Sequence, residues 1–135
     1  MKVLVVDDSP LFTSKLLKGL DEALVGTIAE NGRLALNEFY TAHKKGDPYD
    51  IIFLDLDMPT MRGEDALHAI RSYEECMHIT PVKVIVISAN SDSKKAIELF
   101  NIGSDYYITK PLKRTDVENA LEFIYKGSEN ITQII

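Results

Sequence analysis

Polar side chains follow four apolar runs of the sequence, each at the point where the run ends. They are Asp7 and Asp8, Asp55, Ser88 and Lys110. Carboxylates that lie together in a partly buried place repel one another, so their charges need cationic partners. A lysine and a hard divalent cation would supply them, because Mg²⁺ binds one or two carboxylates together with water and phosphate oxygens. One carboxylate would then be free to accept a phosphoryl group and form an acyl phosphate.

The spacing of the apolar residues predicts the elements that position these side chains. Short apolar runs predict five strands, at residues 3–6, 25–29, 50–54, 81–87 and 106–109. Amphipathic segments predict five helices that alternate with the strands. This alternation predicts an α/β fold with a parallel sheet covered by helices on both faces, whose ligands bind at the carboxyl ends of the strands. We therefore expect the polar side chains that follow the strands to converge on one edge of the sheet.

Local signals predict where several helices begin and end. Ser9 and Pro10 are predicted to be the N-cap and the first residue of the first helix. The apolar face of that helix is predicted to consist of Phe12, Leu16, Leu17 and Leu20. The third helix is predicted to begin at about residue 64 and to end between residues 74 and 80, and the fourth to close at Gly103. Residues 127–135 have no clear period and are predicted to be a tail.

Length and composition limit the classes of protein that fit the sequence. A chain of 135 residues fits a single domain that can fold around its own core. The formal net charge of −6 argues against a general binder of nucleic acid or of anionic membranes, which would need a basic face. No apolar run approaches the ~20 residues that span a bilayer. The single cysteine, Cys76, is predicted to be half-buried and excludes an intramolecular disulfide, so we predict a cytoplasmic protein.

Four motifs together give the chain a family resemblance. They are VVDDS at residues 5–9, FLDLDMP at 53–59, ISA at 87–89 and YITKP at 107–111. In this order they resemble the receiver domain of two-component response regulators, of the stand-alone type found in chemotaxis. The resemblance implies a flavodoxin-like sheet in the strand order 2-1-3-4-5. It covers residues 1–126 as a receiver domain and leaves 127–135 as a C-terminal tail, with no effector domain expected.

The resemblance also implies how the acidic residues divide their roles. Asp55 is expected to be the phosphoacceptor. Asp8 and Asp55 are expected to bind Mg²⁺, or Mn²⁺, directly, and Asp7 is expected to act largely through water. The main-chain carbonyl of Asp57 is expected to be a further metal ligand, and its side chain adds a negative charge whose effect the sequence leaves open.

Three residues in or directly after the last two strands are expected to contact the phosphoryl group or to change position with it. Lys110 is expected to pair with the phosphoryl oxygens, and Ser88 to donate a hydrogen bond to the phosphoryl group. Tyr107 is expected to change rotamer together with Ser88, whereas strand alternation places Tyr106 on the opposite face. The Lys110–Pro111 peptide bond is expected to be cis.

The function that follows from the resemblance is a phosphorylation-activated signalling switch rather than an enzyme that turns over a substrate. The domain would assist its own Mg²⁺-dependent phosphorylation and dephosphorylation. A sensor histidine kinase or a histidine phosphotransfer protein would donate the phosphoryl group to Asp55. The signal would leave through the face formed by helix 4, strand 5 and helix 5, by contact with a target protein. The expected state is a monomer or a phosphorylation-dependent dimer that contacts neither nucleic acid nor membrane.

There are two alternatives, of which one would use the same residues and the other only the same fold. Asp55 and Asp57 resemble the nucleophile and acid of haloacid-dehalogenase-type phosphatases, in which Asp57 would protonate the leaving group. That family has Thr or Val where this sequence has Pro59, and it carries the motif on its first strand. A flavin or nucleotide binder of the same fold would have a glycine-rich phosphate loop after the first strand, where this sequence has Asp7 and Asp8.

Overall fold

In the part of the chain that the structure describes, five parallel strands form one sheet with helices on both of its faces. The computed structural model describes residues 1–21, 24 and 26–134, with the backbone alone described for 126–134. The strands are β1 (Val3–Val6), β2 (Thr27–Ala29), β3 (Ile51–Asp55), β4 (Lys83–Ser88) and β5 (Tyr106–Thr109). The helices are α1 (Leu11–Leu20), α2 (Gly32–Lys44), α3 (Gly63–Met77), α4 (Ser93–Ile102) and α5 (Arg114–Ile134). The strand order is β2-β1-β3-β4-β5, and every neighbouring pair is parallel, which confirms the predicted fold class and order.

The three central strands are buried on both faces because helices cover the sheet on each side. Side chains of one parity, such as those of Ile52 and Leu54, pack with α2, α3 and α4 around Phe39. Side chains of the other parity, such as that of Phe53, pack with α1 and α5 around Leu17. The apolar runs are therefore continuous rather than alternating, as expected for a strand with two covered faces.

The start of α1 differs from the prediction. The helix begins at Leu11, and the N-cap is Pro10 and not Ser9, so the predicted N-cap is wrong. Asp7 explains the shift, because its carboxylate accepts hydrogen bonds from the backbone N–H of Ser9 and the hydroxyl of Thr13. The buried face of the helix is correspondingly polar near its start. Phe12 is 61% exposed, so its predicted place on the core face is wrong.

Helices α3 and α4 both end at left-handed or glycine positions. Helix α3 ends at Met77, and His78 follows with φ 52°, which places the end inside the predicted window. Gly103 ends α4 with φ 123°, a value that favours glycine, and confirms the prediction. Cys76 lies near the end of α3 and is exposed, so the prediction of a half-buried cysteine was wrong.

Two predicted segments extend outside the described residues. The predicted second strand began at residue 25, which is not described, and the described part is Thr27–Ala29. The backbone of α5 is helical from Arg114 to Ile134 and thus passes through the predicted boundary at residue 126. The side chains of the predicted tail lie outside the described residues. Among the helices that the structure describes, none is long and apolar enough to cross a membrane.

The register of the strands determines which side chains meet at the carboxyl edge of the sheet. Val6 of β1 is level with Leu54 of β3, so Asp7 follows β1 at the level of Asp55. Asp55 is level with Ile87 of β4, so Ser88 lies one position further toward the edge. Asp55 and Ser88 are themselves the last residues of their strands, whereas the prediction ended both strands one residue earlier.

Candidate functional site

Three carboxylates meet at the centre of the carboxyl edge. Asp7, Asp8 and Asp55 each place one carboxylate oxygen within 4.8 Å of the others. Asp7 and Asp55 are buried, with 6% and 4% of their surface exposed, and Asp8 is exposed. Such a set of oxygen atoms, with one open side, suits a hard divalent cation such as Mg²⁺.

Asp7 differs from Asp8 in that protein donors already hold both of its carboxylate oxygens. The Ser9 N–H donates to Oδ1 at 2.9 Å, and the Thr13 hydroxyl donates to Oδ2 at 3.0 Å. These bonds fix the orientation of the Asp7 carboxylate at the start of α1. Asp8, the next residue, presents its side chain to solvent.

Asp55 has one hydrogen bond on each carboxylate oxygen. The backbone N–H of Asp57 donates to Oδ1 at 2.8 Å, and the Lys110 ammonium donates to Oδ2 at 3.0 Å. Burial raises the pKa of Asp55 above its ordinary value, and the nearby charge of Asp7 raises it further. The two hydrogen bonds oppose this rise without cancelling it. Burial is the larger cause of the raised pKa, and among the described residues the three clustered carboxylates outnumber the one lysine that contacts Asp55.

The side chain of Asp57 turns toward β4 and β5 rather than toward the three clustered carboxylates. Its Oδ2 accepts a hydrogen bond from the Ala89 N–H at 2.8 Å and lies 3.2 Å from the Lys110 ammonium. Its Oδ1 accepts from the Ser88 hydroxyl at 3.3 Å. Burial would raise the pKa of Asp57, but these donors outweigh burial and hold the pKa below its ordinary value. A carboxyl group with a lowered pKa is poorly suited to donate a proton as the acid of a phosphatase would.

Lys110 lies between the carboxylate of Asp55, at the end of β3, and that of Asp57, in the loop that follows. Its ammonium is 3.0 Å from Asp55 Oδ2 and 3.2 Å from Asp57 Oδ2. Burial lowers the pKa of Lys110, but the two carboxylates outweigh burial, and the pKa is raised overall. The peptide bond between Lys110 and Pro111 is cis, as predicted.

A chain of hydrogen bonds leads from the site to the edge strand. Ser88 Oγ accepts a bond from the Asn90 N–H at 3.1 Å, and the Tyr107 hydroxyl donates to the Asn90 carbonyl at 2.6 Å. Tyr107 packs against the core cluster that contains α2, α3 and α4. Tyr106 packs on the other side of the sheet, with its ring centroid 5.5 Å from that of Phe123, so the predicted alternation of the two tyrosines is confirmed.

The sequence predicted the residues of the site but not the three contacts of the Asp57 side chain, with Ser88, Ala89 and Lys110. The structure brings Asp7, Asp8, Asp55, Ser88 and Lys110 together at one edge of the sheet. The Ala89 N–H was missed because a backbone donor carries no residue-type signal. The contacts of the Asp57 side chain were missed because its partners come from β4 and from the loop after β5. An acid two residues after Asp55 was the one available signal.

Comparison with known proteins gives the family. A family model described as "Response regulator receiver domain" matches residues 3–122. The chain is 32% identical over 114 residues to the sensor histidine kinase GacS of Pseudomonas protegens, covering 82% of this chain and 12% of that protein. It is 33% identical over 133 residues to hybrid signal transduction histidine kinase L of Dictyostelium discoideum, covering 96% of this chain and 7% of that protein. The chain thus spans a small part of the length of these relatives.

Solved structures give the same family. The chain aligns with a structure described as the CheX-CheY-BeF3-Mg+2 complex from Borrelia burgdorferi, with TM-score 0.77, 27% identity and coverage of 93% of this chain and 89% of that chain. It aligns with the receiver domain of Francisella response regulator 1452 with TM-score 0.74, 30% identity and coverage of 94% and 98%. The chain therefore belongs to the receiver-domain family of two-component response regulators, whose members are phosphorylation-activated switches.

Proposed function

We propose that this receiver domain is switched by transfer of a phosphoryl group to Asp55 from the phosphohistidine of a sensor kinase or a phosphotransfer protein. The observation that carries the proposal is the position of Asp55. Its carboxylate is buried at the centre of the edge, in contact with Lys110 at 3.0 Å and within 4.8 Å of the carboxylate oxygens of Asp7 and Asp8. The proposal includes a cytoplasmic location, because the ATP that charges a histidine kinase is found there.

The transfer needs a nucleophile, a leaving group and neutralisation of charge. A carboxylate oxygen of Asp55 attacks phosphorus, the bond from phosphorus to the donor imidazole nitrogen breaks, and its electron pair stays on that nitrogen. Lys110 and the Ser88 hydroxyl then stabilise the phosphoryl oxygens by charge and by hydrogen bonding.

The acidic cluster supplies the expected metal site. Asp8, Asp55 and the main-chain carbonyl of Asp57 would hold Mg²⁺ or Mn²⁺ directly, and Asp7 would hold it through water. A bound cation supplies neutralisation of the transferring phosphoryl group. The two protein hydrogen bonds on Asp7 support its indirect role, because both of its oxygens already have partners, whereas Asp8 is open to solvent.

The output surface of the proposal is the face formed by α4, β5 and α5. Ile97 and Phe100 of α4 and Phe123 of α5 are exposed large apolar side chains on these elements. Tyr107 of β5 connects this face to Ser88 through Asn90. A shift of Ser88 toward the phosphoryl group would therefore change the position of Tyr107 and the surface offered to a target protein, or to a second copy in a phosphorylation-dependent dimer.

Intact-mass measurement tests the proposal. The protein is incubated with Mg²⁺ and a small phosphodonor such as an acyl phosphate or a phosphoramidate. We expect the mass of one phosphoryl group to be added to the wild type and none to Asp55→Asn. Asp65→Asn, which removes an exposed acid from the first turn of α3, is the matched control and should be phosphorylated like the wild type. An adduct on Asp55→Asn, or none on the wild type, would refute the proposal.

A further inference from the structure

Three donor groups contact the carboxylate of Asp57, and they lie around one small space beside Asp55. Two of them, the Ala89 N–H at 2.8 Å and the Lys110 ammonium at 3.2 Å, contact its Oδ2. The third, the Ser88 hydroxyl, contacts its Oδ1 at 3.3 Å. A backbone N–H, a hydroxyl and an ammonium arranged around one anion form a site for an oxyanion.

The same donors are the ones that a phosphoryl group on Asp55 needs. Lys110 contacts Asp55 Oδ2 at 3.0 Å as well as Asp57 Oδ2, so both carboxylates face the space beside this ammonium. Ser88 and Ala89 follow each other at the end of β4 and reach into that space from one side. A group attached to Asp55 and extending toward Lys110 would therefore meet the Asp57 carboxylate.

We propose that the Asp57 carboxylate is an internal occupant of the phosphoryl-binding site and competes with a phosphoryl group on Asp55 for Ser88, Ala89 and Lys110. The inference rests on the proposed function, because it takes Asp55 to be the phosphoacceptor. A phosphoryl group and a carboxylate are both anions, so they repel each other when they share donors. Phosphorylation of Asp55 must then displace the Asp57 side chain.

The displaced Asp57 side chain can move into solvent. The Asp57 side chain is 39% exposed, so it can turn to solvent without opening the core. Its backbone N–H can remain on Asp55 Oδ1, where it donates at 2.8 Å. The competition is therefore a change of side-chain position in a loop that otherwise keeps its place.

Hydrogen bonds also connect the Asp57 carboxylate to β5. Ser88 donates to Asp57 while accepting from Asn90, and Asn90 accepts from the Tyr107 hydroxyl at 2.6 Å. The Asp57 carboxylate thus fixes the position of the Ser88 hydroxyl before phosphorylation. Displacement by a phosphoryl group exchanges one anionic partner of Ser88 for another.

Titration with beryllofluoride, a non-covalent phosphoryl analogue, at saturating Mg²⁺ tests the competition. Binding is followed by the amide resonances of Ser88 and Ala89 in the wild type, Asp57→Ala and Asp57→Asn. We expect Asp57→Ala to bind about tenfold to a hundredfold more tightly than the wild type, since one or two charge-assisted hydrogen bonds no longer compete. Asp57→Asn is also neutral but keeps an oxygen that can accept from Ala89, so its affinity should lie between the other two.

The results distinguish three cases. The Asp57 carboxylate competes for the donors, its negative charge alone weakens binding, or Asp55 is not the phosphoacceptor. Equal affinities of wild type and Asp57→Ala would overturn the competition while leaving Asp55 as the phosphoacceptor. Equal tightening in Asp57→Asn and Asp57→Ala would also overturn it, because loss of charge alone would then explain the gain. No binding by any of the three proteins, together with no phosphoryl adduct, would overturn the proposed function and this inference with it. Asp65→Asn should bind like the wild type.

Discussion

Two buried acids of this molecule, Asp55 at the sheet edge and Glu64 at the start of α3, have opposite electrostatic properties. Their exposed fractions are 4% and 8%, and each has a lysine partner, Lys110 at 3.0 Å and Lys95 at 2.7 Å. Burial acts to raise the pKa of both. The pKa of Asp55 is nevertheless raised, whereas that of Glu64 is lowered to about 2.

Two properties account for the difference: Asp55 is more deeply buried than Glu64, and it has fewer cations of its own. Glu64 receives hydrogen bonds from Lys95 and Arg62, and these outweigh its burial. Asp55 shares Lys110 with Asp57 and lies beside Asp7, so its charge is only partly compensated. The first arrangement is a complete ion cluster that joins α3 to α4. The second is a site with excess negative charge, which can be relieved by a cation and by the chemistry of the carboxylate.

The largest expected difference between the site around Asp55 and the ion cluster around Glu64 is the effect of Mg²⁺ on stability. At a hundred times its dissociation constant, Mg²⁺ should raise the free energy of unfolding of the wild type by about 2.7 kcal/mol, since it binds the folded state. Asp8→Asn should lose most of this increment because a carboxylate ligand is removed, and Glu64→Gln should keep all of it. Thermal unfolding with Mg²⁺ or with a chelator measures the increment. A full increment in Asp8→Asn would remove Asp8 from the metal site.

A substitution in the ion cluster around Glu64 should change the stability of the protein and leave its phosphorylation unchanged. Glu64→Gln should lower the free energy of unfolding by about 2 kcal/mol at neutral pH, because the folded-state pKa of Glu64 lies well below its ordinary value. The protein should still be phosphorylated on Asp55. Since the lowered pKa stabilises the fold above the unfolded-state pKa, this contribution should be lost as the pH falls from 4.5 to about 2.

Denaturant titrations of wild type and Glu64→Gln at a series of pH values measure that contribution. The gap between the two proteins should be full at pH 7 and should narrow through the acid range. Lys95→Met combined with Glu64→Gln is the matched control, since removing both partners should cost less than leaving Lys95 unpaired. A gap that stays constant from pH 7 to pH 3 would contradict the assignment.

The smallest expected effect is a gain in stability, and it is expected for a substitution of Asp55. In buffer with a chelator, Asp55→Asn should raise the midpoint of thermal unfolding, because burial beside Asp7 disfavours the Asp55 charge in the folded state. This gain in stability should accompany the complete loss of phosphorylation in the same variant. A drop in midpoint as large as that of Glu64→Gln would show that Asp55 is a compensated ion pair, and the contrast between the two acids would then fail.

Agreement between sequence and structure is closest for the buried strands and for the side chains that lie at their carboxyl edge. The apolar runs before Asp7, Asp55 and Ser88 are continuous. This pattern predicts both the strand and its burial on two faces. Agreement is poorer where a helix begins. Phe12 was assigned to the core by helical spacing, but α1 turns a polar face inward near its start, where Thr13 bonds Asp7.

The sequence by itself determined the alternation of strands and helices and the placing of three acids, a serine and a lysine at one sheet edge. It could do so because all strands of a parallel sheet deliver their carboxyl ends to the same side. Only the tertiary structure decided that the Asp57 carboxylate contacts Ser88, Ala89 and Lys110, and that Asp55 and Glu64 have opposite pKa shifts. Those properties depend on burial and on distances between groups that are remote in the chain, which residue spacing does not encode.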